Sequence, residues 1–174
     1  MDFFKKNRAA AALILAVAAV LCTALGTVRS ISAIEGSLEK RYTEKDKYGE
    51  TVSGTFEMLR LHISTFISEY EAVLGDCGEI STLKKCLEAL PADNGVADDT
   101  VNIDEVRSCA TLMHQRLDRS DSYSAEAKAA FAGIDNDISI LKKYDAYNKA
   151  AKKYNDAAET FAGKMLGLSY AIEF

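Results

Sequence analysis

Hydrophobic and polar residues follow two different patterns along this chain. From Ala9 to Val28, "AAAALILAVAAVLCTALGTV" runs for twenty residues without a charge. At a rise of about 1.5 Å per residue, a helix of this length spans roughly 30 Å, the thickness of a bilayer's hydrocarbon core. A soluble helix of this length would show a polar face. This segment has none, so the pattern predicts a membrane-inserted helix. Beyond it, apolar residues return every third or fourth position, which is the signature of helices with one buried side. Ile31, Ile34, Leu38 and Tyr42 carry the first helix past the apolar span. "TEKDKYGETVSG" then interrupts the pattern with polar residues and Gly49 and Gly54. A helix boundary is expected near 45–50, with one continuous helix as the alternative.

The pattern resumes at Val52, Phe56, Leu59, Ile63, Phe66, Tyr70 and Val73, a seam suited to packing against other helices. "GDCG" at 75–78 ends it, with glycine in the usual place after a helix. A third helix is expected from about Glu79 to Leu90. Pro91 and the acidic "ADNGVADD" then form a loop. A fourth, from about Ile103 to Arg119, places Ile103, Val106, Ala110, Met113 and Leu117 on one face. "DRSDSYS" breaks the pattern again. Ser124 is a good N-cap for the next helix, and Glu126 suits the first turn's dipole.

The last stretch has the longest seam: Ile140, Tyr144, Tyr147, Ala151, Tyr154, Ala158, Phe161, Met165, Leu168 and Ile172. These positions predict one unbroken helix with a heptad stripe over thirty-three residues. The pair Tyr-Asn occurs on it twice, at 147–148 and 154–155. Seven residues is about two turns, so the two rings point the same way. Ala151 and Ala158 leave room for a neighbouring helix beside them. Asn148 and Asn155 lie one step around, where an amide can hydrogen-bond across to another helix or a backbone group and help to fix a register. The periodicity as a whole predicts an all-α helical bundle of about four helices with an N-terminal transmembrane helix. The expected division is a basic tail at 1–8, the span at 9–28 and the bundle at 29–174.

Composition supports this division and narrows the function. The chain has 174 residues, one proline, ten glycines and no tryptophan. A net charge of −5 supplies no field for nucleic acid, so no nucleic-acid partner is expected. Four cysteines include Cys22 in the span, which leaves Cys77, Cys86 and Cys109, an odd number that forms no complete disulfide framework. Cys86 and Cys109 are expected in the core and Cys77 in a loop. His62 and His114 have no cysteine or second histidine at metal-ligand spacing, and both read as structural. No nucleophile elbow and no phosphate-binding glycine loop occurs. The carboxylate pairs Asp98-Asp99, Asp104-Glu105 and Asp135/Asp137 read as solvated loop or helix-surface charges. Lys142, Lys143, Lys149, Lys152 and Lys153 read as a solvated basic face, with weak contact to anionic lipid or cell-wall polymer as the alternative. No catalytic residue, metal or cofactor is assigned, and no enzyme is expected.

The apolar span has three readings. A lipoprotein signal needs a small residue before the cysteine, and Leu21 precedes Cys22. A cleaved signal fits Ala24 and Gly26, but its apolar core is usually about 7–15 residues long. The span is longer and runs directly into a helical pattern, which favours an uncleaved anchor. Lys5, Lys6 and Arg8 on one side balance Arg29, Lys40 and Arg41 on the other, so charge counting alone does not orient it. A basic tail directly before a first apolar segment favours a C-terminal body outside the cytoplasm.

The C-terminal "YNKAAKKYNDAAETFAGKMLGLSYAIEF" resembles the signature of the LemA family. The matching residues are Tyr147, Asn148, Tyr154, Asn155, Phe161 and the terminal Phe174. The anchor, followed by "VRSISAIEGSLEKRY", resembles the family's opening. Ala162 follows Phe161 where the family commonly has proline, and the middle helices match only in number. The resemblance implies a bacterial membrane protein with one N-terminal span and an elongated antiparallel bundle of undefined biochemical role. The expected function is then a non-enzymatic envelope scaffold, held by the lipid bilayer through residues 9–28, with a membrane or envelope protein as partner. The alternative is an extracytoplasmic ligand-binding or sensor domain. With only eight residues before the span, a sensor is expected to act through a membrane partner.

Overall fold

The computed structural model describes residues 8–46, 49–91, 95–97 and 101–174, with side chains from Ala12 onward. The described chain is all-α apart from one short antiparallel strand pair. The order is α1 (Arg8–Thr43), α2 (Val52–Leu74), α3 (Gly78–Ala89), β1 (Val96–Ala97), α4 (Ile103–Asp118), α5 (Ala125–Leu141), α6 (Asp145–Ala158), α7 (Phe161–Leu166) and β2 (Tyr170–Ala171).

Local chemistry sets the helix boundaries. The break expected near 45–50 is present between α1 and α2. There the Thr51 hydroxyl accepts from the Gly54 N–H and caps α2. Gly75, at φ 74°, closes α2, in a region that favours glycine. Asn102 accepts from the N–H groups of Asp104 and Glu105 at the start of α4. Ser124 caps α5 by accepting from Ala127 N. Each cap satisfies donors that a helix cannot satisfy within its own first turn.

Helices α2 to α5 form a closed antiparallel ring, each packed on the next and α5 returning to α2. The direction follows from paired residues. His62 and Glu69 of α2 meet Asp137 of α5 and Ser124 at its N-cap, so numbers rise on one helix as they fall on the other. Val52, Phe56, Leu59, Ile63, Phe66 and Tyr70 are buried inside the ring, as are Ile103, Val106, Ala110, Met113 and Leu117. Each large apolar side chain removed from water in this way contributes about 1.5–3 kcal/mol.

A second layer consists of α1 and α6, packed along each other. Ile31, Leu38 and Tyr42 of α1 are buried, as are Tyr147, Ala151, Tyr154 and Ala158 of α6. The small alanines allow the close approach that their spacing predicts. From Ala12 to Gly26, α1 is exposed throughout. The stretch Ala12–Thr43 contains an 18-residue window of mean hydropathy 2.1, none of it buried, so this one helix is long and apolar enough to cross a membrane.

Two expectations are corrected. The described residues hold seven helices, not about four; four of them make the ring. The seam at 140–172 is not one helix. It breaks after Leu141, again after Ala158, and ends at Gly167, which adopts a left-handed φ of 65°. Apolar spacing alone does not register Thr160, whose hydroxyl caps a new helix by accepting from Gly163 N at 3.1 Å. Gly163 itself lies so close to the end of α6 that a Cβ there would sit 2.3 Å from the Ala157 carbonyl oxygen. The chain therefore turns sharply at 159–163. Phe161 and Met165, expected on the seam, are instead 80% and 73% exposed.

Candidate functional site

The residues singled out by the double Tyr-Asn pattern divide between three places. Tyr147 and Tyr154 turn into the layer between α6 and α1 and are buried. The Tyr147 hydroxyl donates to the Gly95 carbonyl at 3.2 Å, and the Tyr42 hydroxyl donates to the Pro91 carbonyl at 2.9 Å. Two tyrosines from neighbouring helices thus hold Pro91 and Gly95, ahead of β1. Gly95 is required there. It has φ 78°, and a Cβ would come within 3.0 Å of the Tyr42 ring. Burial raises the Tyr147 phenol well above its ordinary pKa, so it stays a neutral donor.

The asparagines bind the end of the chain rather than another helix. Asn155 Oδ1 accepts from the Ala171 N–H at 2.8 Å, and its Nδ2 donates to the Ala171 carbonyl at 2.9 Å. One side chain thereby satisfies both backbone groups of one residue, as a neighbouring strand would. On its other side the segment pairs with β1, Val96 opposite Ala171 and Ala97 opposite Tyr170. Asn148, one heptad earlier, accepts from the Phe174 N–H at 3.3 Å. Asn155 thus meets Ala171 and Asn148 meets Phe174, so the segment runs antiparallel to α6.

Phe174 completes an aromatic cluster. Its ring centroid lies 5.7 Å from that of Phe56 and 6.3 Å from that of Tyr147. Tyr42 closes the circuit at 6.0 Å from Phe56 and 6.2 Å from Tyr147. These four rings join α1, α2, α6 and the last residue of the sequence. Phe161 stands apart from this arrangement. It lies on α7, beside the apolar part of α1, on an exposed surface.

Two polar clusters were not visible in the sequence. His62 Nδ1 lies 2.7 Å from Asp137 Oδ2, and the Asp137 side chain is almost wholly buried. This overturns the expectation that Asp137 is solvated; Asp135 is exposed, as expected. Burial raises the Asp137 carboxyl, and its bond to His62 opposes that shift. Gly133 makes space for the pair, since a Cβ there would meet the imidazole at 2.5 Å. The spacing of 133 and 137 on α5 could have suggested a small residue and a carboxylate on one face, but nothing local pointed to His62, seventy-five residues away. His114 hydrogen-bonds the Tyr123 hydroxyl and stacks on Phe131 at 4.1 Å between centroids. Both histidines are thus anchored between helices.

Cys86 is buried and its thiol is pushed up by burial, while Cys109 is half-buried. Cys77 holds the N-cap position of α3, at the end of the loop from α2. The five lysines of the basic face are exposed. Asp98-Asp99, Lys5 and Lys6 lie outside the described residues. Among the described residues, no three His, Cys, Asp or Glu side chains converge to hold a metal ion. The arrangement around α6 binds an extended peptide segment, in this case the chain's own end. No family model, no curated protein and no solved structure matches this chain.

Proposed function

We propose that this is a single-pass membrane protein of the LemA type. In this reading it is a non-enzymatic scaffold that displays a helical bundle at the envelope of a bacterial cell, on the extracytoplasmic side. The observation that carries the reading is the two-part character of α1. Its stretch from Ala12 to Gly26 is apolar and exposed throughout; from Ile31 onward it is built into the bundle core. Continuous helix links the two parts. The LemA reading rests on the sequence signature.

Protease accessibility in intact cells tests this. Phe174 is packed into the aromatic cluster, so the epitope belongs in the exposed turn at Asp121–Ser122 instead of after the last residue. Loss of the epitope from intact cells, with the protein in the membrane fraction, supports an outward-facing anchored bundle. Protection until lysis reverses the topology. Recovery of the full-length protein in the soluble fraction refutes the anchor. Crosslinking in membranes followed by detergent pull-down then searches for a stoichiometric protein partner, which the scaffold reading requires.

A further inference from the structure

We infer that α7 is a second membrane contact. It lies in the same leaflet as the end of the α1 anchor and packs phospholipid acyl chains against Phe161, Met165 and Leu166. This rests on the proposed membrane anchoring and extends it to a part of the chain far away in sequence.

Three observations carry the inference. The first is continuity of surface. An apolar groove of about 630 Å³ runs between α1 and α7, bordered by Val20, Ala24 and Val28 on one side and Phe161, Met165 and Leu166 on the other. Phe161, Met165 and Leu166 are 80%, 73% and 50% exposed, so half or more of each large side chain has no protein neighbour. Val20 and Val28 are eight residues apart, about 12 Å along the helix axis. If residues 9–28 cross the bilayer, the surface beside Val20 to Val28 lies within one leaflet, and α7 borders it.

The second observation is that the polar groups lining this groove are already satisfied. Thr23 donates to the Ala19 carbonyl and Thr27 to the Thr23 carbonyl, both at 2.8 Å. Such hydroxyls need no water, which suits a helix facing lipid. The third concerns the backbone of α7. Thr160 caps its first turn. At the other end Gly167 N donates to Lys164 O and Leu168 N to Gly163 O, the paired bonds of a Schellman turn. A short helix closed at both ends exposes few unpaired backbone groups to hydrocarbon. Lys164 is exposed on the same helix, and its long apolar stem can lie along lipid while the ammonium reaches the headgroups.

The chain has no tryptophan, so one introduced indole reports on its own surroundings. Full-length Phe161→Trp, Met165→Trp, Leu15→Trp and Leu112→Trp are reconstituted separately into phosphatidylcholine–phosphatidylglycerol vesicles. Some vesicles carry brominated acyl chains, whose bromines quench indoles that they touch. Leu15 lies within the anchor, and Leu112, exposed on α4, marks the bundle surface. The expected result is blue-shifted emission from Trp at 161 and 165 that loses most of its intensity to brominated lipid, as at 15 and unlike at 112. Quenching at 15 together with solvent-like, unquenched emission at 161 and 165 overturns the α7 inference and leaves the anchor standing. Blue-shifted but unquenched emission at 161 and 165 means that protein covers this face, a second copy included, and also overturns it. No quenching at 15 refutes the anchor and the inference together.

Discussion

Tyr154 and Asn155 are adjacent in sequence and do unrelated work, because one step around a helix turns a side chain by about 100°. Tyr154 fills the layer between α6 and α1. Truncation to alanine is expected to cost about 3 kcal/mol, the usual range for removing a core aromatic. Denaturant titration of the detergent-solubilised full chain checks this, and an unchanged midpoint would refute its core role. Asn155 instead satisfies the backbone of Ala171. Asn155→Ala leaves a donor and an acceptor with no protein partner, a cost of about 1–3 kcal/mol if water does not replace it. The measured sign should be faster hydrogen exchange at the Ala171 amide with little change on α2. The His62–Asp137 pair predicts a pH effect. Burial raises the Asp137 carboxyl in the folded chain, so the folded state holds its proton to higher pH than the unfolded state. Its contribution to stability therefore falls as pH rises through the carboxylate range. Asp137→Asn removes this dependence, so the variant should gain stability relative to the parent as pH rises above about 4, the ordinary carboxylate value. A constant difference across that range would refute the assignment.

At the scale of elements, the junction at 159–163 shows where periodicity misleads. A heptad stripe records which residues are apolar, not whether the backbone between them stays helical. Thr160 and Gly163 interrupt the helix without disturbing the stripe. Once the chain turns, apolar residues that continue the count face a different direction, and Phe161 and Met165 emerge beside the anchor. In α2 and α4 the capping residues Thr51 and Asn102 precede the stripe, and every predicted seam residue from Val52 to Tyr70 and from Ile103 to Leu117 is buried. The end of the chain shows the complementary case. Residues 170–174 contain too short an apolar run to specify a strand. Tyr170 and Ala171 form a strand because α6 offers the Asn155 amide on one side and β1 supplies a partner edge on the other. Covering both sides also removes an exposed strand edge.

The whole molecule consists of an antiparallel ring, a second layer joined to it by aromatic side chains, and an apolar helix that projects from that layer. The expected consequence is that residues 29–174, separated from the span, give a strongly helical circular dichroism spectrum. A strand-rich spectrum would overturn the fold. The same piece leaves the face of α7 in water, so its self-association in the absence of detergent, read by light scattering, should fall when Phe161 and Met165 are replaced together by serine. Contacts at this scale join residues far apart in sequence: Tyr42 with Pro91, His62 with Asp137, Phe56 with Phe174. Each of these residues was visible as an aromatic, a proline, a histidine or a carboxylate, but not as half of a pair.

By itself, the sequence determined the helical class, the apolar span, most helix boundaries and the buried faces of α2 and α4. These depend on local spacing, caps and glycines, which act within a few residues. It also marked the two Tyr-Asn pairs as a unit and placed their tyrosines in the core. Only the tertiary structure decided what the asparagines bind, that Asp137 is buried with His62, and that Phe161 lies outside the bundle beside the anchor. Those outcomes depend on which distant surfaces the turns bring together. A one-dimensional pattern of hydrophobicity does not contain that information, because the same stripe can continue a helix or fold back from it.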